Sequence, residues 1–186
     1  MLTVVLIWGD GDNTTATAAP ESIQGPQVRL GDLTYVITNV RVLDPNRPSD
    51  APYVVNLEPV PKGRDGSSRV YFGVFLKVYN HNTDKAEPSA PGFLLEPAKE
   101  PGLVAQNQWS ESPYRLDQGG TVPAGGVLPI PGSASAAGPI DGGLLLYVVS
   151  PAMTKAQPFR LVVNNGTQMG AIVLPKMARL PGSGAH

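Results

Sequence analysis

The feature that most constrains the fold of this chain is a run of large apolar residues between Arg69 and Asn82. Alternate side chains of a β-strand point to opposite faces, and in this run both faces carry large residues. One face receives Val70, Phe72, Val74, Leu76 and Val78, and the other receives Tyr71, Phe75 and Tyr79. Such a strand belongs inside a packed β-domain, so the run predicts the central strand of an all-β protein.

Glycine and proline divide the rest of the chain into short apolar segments. The 21 glycines and 20 prolines cluster at 45–66, 88–102, 119–142 and 181–184, between the apolar runs. This distribution is typical of turns in an all-β protein. No stretch has the apolar spacing of three and four that a helix requires, so we expect at most a helical turn near 151–155. About seven to nine short strands with turns between them predict a β-sandwich.

Two segments before the central strand are predicted to contain β-structure. The stretch 28–44 is typical of a strand pair or of one bent strand. Its alternation slips by one residue at Thr38 and Asn39, which is the pattern of a β-bulge. The stretch 53–57 predicts a further short strand.

Five apolar segments after the central strand are also predicted to be strands, the first of them a short one at 93–95. The segment 127–130 is typical of an edge strand because proline is tolerated there, and 144–149 of a second buried strand. Segments 159–163 and 171–174 flank Asn164, Asn165 and Gly166. This triplet supplies the positive φ angles of a tight hairpin, so the two segments are predicted to pair.

The amino-terminal segment 2–8 is apolar and stops at the polar stretch 9–13. Seven residues are too few to span a bilayer, which needs about 20. Two interpretations stay open: the end of a membrane anchor or signal segment, with Trp8 at the membrane interface, or a first β-strand of the domain. The stretch 13–27 is typical of a flexible linker. The predicted organisation is this segment and linker at 1–27, a β-sandwich at 28–178 and a disordered tail at 179–186.

A strand-and-turn pattern across 69–163 resembles a known family. Its parts are an aromatic strand, an Asn-rich turn, a short apolar step, a Pro-Ala-Gly-Gly turn and a late apolar strand: 71–79, Asn80, Asn82, Asp84, 93–95, 123–126 and 144–149. The pattern resembles the immunoglobulin-like, telokin-like extracytoplasmic domains of bacterial cell-envelope proteins, a family of unknown function that shares the architecture of the immunoprotective extracellular antigen. The resemblance implies an immunoglobulin-like β-sandwich that is secreted or membrane-tethered, and it supplies no catalytic residues.

Composition excludes several functions. The chain carries 14 lysines and arginines against 15 aspartates and glutamates, so no basic surface is expected that could bind nucleic acid. It contains no cysteine, which excludes disulfides, thiolate metal sites and a cysteine nucleophile.

Few residues suggest catalysis or metal binding. Of the two histidines, His186 ends the chain, and His81 lies near Asp84 in a predicted polar turn, where a solvated histidine is the expected arrangement. The segment 10–13 has two aspartates but lacks the later ligands of a calcium loop. We therefore expect no catalytic residue, no metal and no cofactor.

Two alternative functions stay open. Met153, Met169 and Met177 could bind copper(I), because thioether ligands suit that ion, which would make the chain a small-ligand or copper carrier. Methionine as filling of the core is the ordinary expectation. A carbohydrate-binding or hydrolytic domain would instead use acids in the stretch 96–126: Glu96, Glu100 and Glu111.

The stretch 96–126 shows few periodic signals and is predicted to be a long irregular loop of the kind that carries recognition. Aromatic residues and arginine dominate the energetics of interfaces, so Trp109, Tyr114 and Arg115 form the predicted binding surface. The expected function is therefore a non-catalytic, extracytoplasmic and membrane-tethered protein-binding module, or an accessory subunit of a cell-envelope complex. The expected partner is another envelope or membrane protein.

Overall fold

The structure, a computed structural model, describes residues 25–55, 57, 69–98, 105–108, 111–149 and 158–176, and of 105–108 the backbone alone. The predicted organisation at 1–24 and 177–186, the apolar segment 2–8 and the turn at 151–155 lie outside the described residues. Within the described part of the chain, no helix is long and apolar enough to cross a membrane.

The described residues form eleven antiparallel strands, which confirms the predicted all-β sandwich. Eight strands have four or more residues, in agreement with the seven to nine expected, and three have only two. The strands are β1 Gln27–Leu30, β2 Leu33–Leu43, β3 Val70–Asn80, β4 Glu87–Pro88, β5 Gly92–Pro97, β6 Ala105–Gln108, β7 Thr121–Val122, β8 Val127–Leu128, β9 Gly143–Val149, β10 Phe159–Asn164 and β11 Met169–Val173.

The main sheet follows the order β1-β2-β3-β9-β6-β5-β10-β11, with β8 also paired to β3. It folds into two layers. The first layer contains β1, β2, β3, β8 and β9, and the second contains β5, β10 and β11. Strand β6 joins them, because Asn107 faces Tyr147 of β9 while Gln106 faces Leu94 of β5. Strands β4 and β7 form a separate pair.

The core lies between the two layers. Phe72 of the first layer meets Phe159 of the second edge to face, with ring centroids 5.3 Å apart. Tyr35 and Phe93 repeat this contact at 6.0 Å. The alternation of the central strand is confirmed: its first face lies in this inner core, and Tyr71 and Phe75 belong to a second cluster on the outer side of the first layer.

Several local predictions are confirmed by the ladder. The register of β2 against β3 shifts between Ile37 and Asn39, which is the predicted β-bulge. The hairpin of β10 and β11 is present, and Gly166 in its loop has φ of 90°. The polar turn after β3 is ordered by buried Asn80, whose Nδ2 donates to the carbonyl oxygens of Lys85 and Pro123 at 2.8 and 3.1 Å.

Three sequence predictions are wrong. The described residues of the predicted strand at 53–57 form no strand, and Tyr53 ends a 3-10 helix, Ala51–Tyr53. Pro52 lies in the first turn of this helix, and Tyr53 is buried against the first layer. The segment 96–126 is not one irregular loop, since β6 and β7 lie within it. Met169 does not fill the core, since it is 68% exposed on β11.

Candidate functional site

The predicted binding residues Tyr114 and Arg115 lie beside the first residues of β9, where Arg115 forms a parallel bridge with Leu144. Leu144 N–H donates to the carbonyl oxygen of Tyr114 at 2.8 Å, and Leu116 N–H donates to the carbonyl oxygen of Leu144 at 2.9 Å. Arg115 is exposed, and Tyr114 is half-buried. Trp109, the third residue of the predicted surface, lies outside the described residues.

Tyr114 is held by packing. Its ring lies 5.1 Å from the ring of Tyr53, centroid to centroid, and Tyr53 in turn meets Phe75 edge to face at 5.2 Å. Gly138 passes under Tyr114 so closely that a Cβ there would lie 2.8 Å from the Tyr114 ring. Tyr114 is therefore part of the outer cluster as much as of any surface.

Loops cover the outer face of the first layer. The outer cluster joins residues of β2, β3 and β9 to residues of the covering loops: Leu43, Tyr53, Val54, Tyr71, Phe75, Leu144 and Leu146. Two hydrogen bonds join the loops to each other, from Ile140 N–H to the Tyr53 hydroxyl at 3.0 Å and from the Ser112 hydroxyl to the Pro52 carbonyl at 2.8 Å. Burial raises the pKa of the Tyr53 phenol.

Asp50 holds the first of these loops in place. Its side chain is 1% exposed and forms an ion pair with Arg41 of β2. The same carboxylate accepts hydrogen bonds from Asp44 N–H at 3.1 Å and from the Ser49 hydroxyl at 3.0 Å. These contacts satisfy the buried charge and fix the loop to β2.

A shallow cleft of about 550 Å³ opens beside Arg115. It is lined by Glu111, Ser112, Pro113, Arg115 and Asp117. The lining is mostly polar, whereas small-molecule sites are usually enclosed and mostly apolar. The cleft alone therefore does not indicate an enclosed ligand site.

The second layer has an apolar outer face that the sequence analysis missed. We call it the outer strip and define it as Leu94, Val162, Met169, Ala171 and Val173. Leu94 is 40% exposed, Met169 68% and Val173 58%. Its sequence signal is that 159–163 and 169–173 carry apolar residues at both parities, which a strand with one wetted face does not need.

The register aligns the outer strip. Val162 faces Leu94 on one side and Ala171 on the other, so these three side chains form one row across β5, β10 and β11. In the next row Arg160 faces both Glu96 and Val173, and Arg160 forms an ion pair with Glu96. An apolar row therefore lies beside a paired charge.

No protein family matches the chain, and no curated protein sequence is similar to it.

The other predicted chemistry is placed as follows. His81 Nε2 lies 2.8 Å from the Thr34 hydroxyl. Glu96 is in the ion pair with Arg160, and Glu100 lies outside the described residues. Among the described residues no group of three or more histidine, aspartate or glutamate side chains could hold a metal ion. Of the three methionines of the copper hypothesis, the structure describes only Met169.

Proposed function

We propose that this chain is a non-catalytic, membrane-tethered protein-binding module that acts outside the cytoplasm, or an accessory subunit of a cell-envelope complex. The observation that supports protein binding is the outer strip. Contiguous exposed apolar surface is a feature of interaction sites, because it gains free energy when another surface removes it from water.

The shape of the outer strip favours a protein over a small ligand. Small ligands bind in concave sites that bury most of their surface. The strip instead lies on the face of three paired strands, with the Glu96–Arg160 pair at one side. An apolar centre with a polar border is the usual arrangement of a protein interface.

The two layers differ in a way that supports the same proposal. On the first layer, loops cover the outer face and bury Tyr71 and Phe75. On the second layer, the outward-facing Leu94 and Val173 are exposed. A partner at the outer strip would complete for the second layer what the loops do for the first.

The extracytoplasmic and membrane-tethered parts of the proposal rest on the sequence. They depend on the apolar segment 2–8, on the linker-like stretch 13–27 and on the family resemblance across 69–163. The envelope partner follows from that location.

The predicted surface of Trp109, Tyr114 and Arg115 is kept as a second contact region of the same module. Within it, Arg115 is the better position for mutagenesis because its side chain is exposed. Replacing Tyr114 would also remove packing against Tyr53, so a loss of binding would mix with a loss of stability.

Lysine substitutions on the outer strip test the proposal. The tagged chain and its Leu94→Lys and Val173→Lys variants are incubated with detergent-solubilised envelope extract, and the proteins retained are quantified by mass spectrometry. We expect each variant to retain about tenfold less of a specific partner than the unchanged chain, because a buried lysine must be desolvated.

Ala86→Lys is the matched control, because Ala86 is an exposed residue of the loop after β3, away from the outer strip. This variant should retain the partner fully, and circular dichroism should be the same for all four proteins. Equal retention by the strip variants and the control would refute the proposed role of the strip.

A further inference from the structure

Strand β11 is the last strand of the main sheet and pairs with β10 on one side. No described segment forms a ladder with its other side. Its five residues, Met169–Val173, include no charged residue and no proline. Charged residues and proline usually protect an edge strand from pairing with another chain, so β11 lacks this protection.

The hydrogen bonds of the hairpin show which backbone groups of β11 face outward. Leu174 N–H donates to the Phe159 carbonyl at 2.8 Å, and Asn165 N–H donates to the Gln168 carbonyl at 3.1 Å. Hydrogen-bonded pairs alternate along an antiparallel ladder. The N–H and C=O groups of Met169, Ala171 and Val173 therefore point away from β10.

We propose that β11 pairs with β11 of a second copy of this chain, antiparallel and about a two-fold axis at Ala171. An outward row of backbone donors and acceptors is complementary to another extended strand. The same patch on both copies is the usual geometry of a homodimer.

The sequence of β11 fits this register. With Ala171 opposite Ala171 of the second copy, Met169 lies opposite Val173. Each of the three facing pairs exchanges two backbone hydrogen bonds. The central residue is small, so it does not hold the backbones apart, and the flanking pairs are apolar side chains on one face.

The pairing also extends the outer strip. The row Leu94, Val162 and Ala171 of one copy continues into Ala171, Val162 and Leu94 of the other. The row with Glu96 and Arg160 meets the row of Asn164 and Met169, so no like charges face each other. In the proposed dimer the apolar outer strip of one copy therefore continues into the outer strip of the other.

Strand β1, at the opposite end of the sheet order, is a less suitable edge. It carries exposed Arg29 as the third of its four residues, Gln27–Leu30. Pairing β1 with itself would place arginines near one another, which is unfavourable. This contrast selects β11.

The dimer should be weak. Five residues of edge strand bury less than the roughly 800 Å² per partner of a stable interface, so we expect dissociation on dilution. The inference rests on the proposed function, because it names a second copy of the chain as one partner that binds at the second layer.

Cysteine cross-linking tests the register, because the chain has no cysteine of its own. Ala171→Cys should give a covalent dimer with a short thiol-specific cross-linker, since facing residues lie about 5.5 Å apart. Leu94→Cys is the matched control on the same face. In the proposed dimer its two copies are about 24 Å apart, five strand spacings, and should not be linked.

Analytical ultracentrifugation of the unmodified chain provides the second measurement. We expect a monomer–dimer equilibrium that Ala171→Lys weakens about tenfold and that Leu94→Lys leaves unchanged. A chain that stays monomeric at millimolar concentration, or equal linking of both cysteine variants, would overturn the dimer. If the chain stays monomeric while Leu94→Lys still lowers the retention of an envelope protein relative to Ala86→Lys, the proposed function stands without the dimer.

Discussion

At the scale of single residues, Gly170 determines how closely β11 of the second layer approaches β1 of the first layer. A Cβ on Gly170 would lie 2.6 Å from Val28 Cγ2 and 3.0 Å from Leu30 Cδ2. Both neighbours belong to β1, which therefore crosses β11 at a distance that only glycine permits. Overpacking of this kind forces shifts of side chains and backbone.

We expect Gly170→Ala to lower the free energy of unfolding by about 1–3 kcal/mol, because Val28 is β-branched and cannot move aside freely. Urea denaturation followed by circular dichroism measures this change. Gly92→Ala is the control, since a Cβ there would make its nearest contact at 3.6 Å, with the Asn164 carbonyl oxygen. Equal midpoints for the two variants would show that β1 is not packed on Gly170.

At the scale of elements, the loop after β2 depends on Asp50. We expect Asp50→Asn to destabilise the protein by about 2–3 kcal/mol, less than for a fully buried ion pair because Arg41 is 35% exposed. Hydrogen exchange should quicken at Ala51 and Tyr53, whose N–H groups bond to Arg47 and Asp50 carbonyls at 2.9 Å.

Glu87→Gln is the comparison for Asp50→Asn. Glu87 pairs with Lys85, which is 70% exposed, so its removal should change stability little. If Asp50→Asn were as mild as Glu87→Gln, the loop would be held by the packing of Tyr53 and its hydrogen bonds to the other loops, and not by Asp50.

The elements differ in how far their sequences predict them. The central strand, the bulge after Ile37 and the β10–β11 hairpin were predictable because alternation and turn chemistry act over neighbouring residues. Strand β6 was not, because Ala105–Gln108 has no apolar alternation and is selected by its two neighbouring strands.

The candidate site was harder to predict than the fold. Residue type alone pointed to Tyr114, yet its ring packs on Tyr53, far away in sequence. The outer strip could not be predicted because its row forms only when β5 and β10 pair, and Leu94 and Val162 are 68 positions apart in the sequence. Exposure on one face of a sheet is a property of the layers together.

At the scale of the whole molecule, buried tyrosines set the alkaline limit of stability. Burial raises the pKa of Tyr35, Tyr53, Tyr71 and Tyr147, most strongly for fully buried Tyr147. Well below about pH 10 these phenols are neutral in the folded and unfolded chain alike. Above it the unfolded chain ionises first, so stability falls as pH rises.

Urea midpoints measured between about pH 7 and pH 11 check this expectation. The urea midpoint should decrease progressively above about pH 10. The midpoint of Tyr147→Phe should decrease less steeply, because this variant lacks one ionising group. A midpoint that stays constant to pH 11 would contradict the burial of these phenols.

Strand β6 has one more consequence for the molecule. Its four residues carry ladder bonds to β9 on one side and to β5 on the other. If β6 detaches, both layers lose ladder hydrogen bonds at the same time. Neither layer can therefore unfold at β6 while the other keeps all of its backbone hydrogen bonds. The domain should thus behave as a single cooperative unit despite its two-layered build.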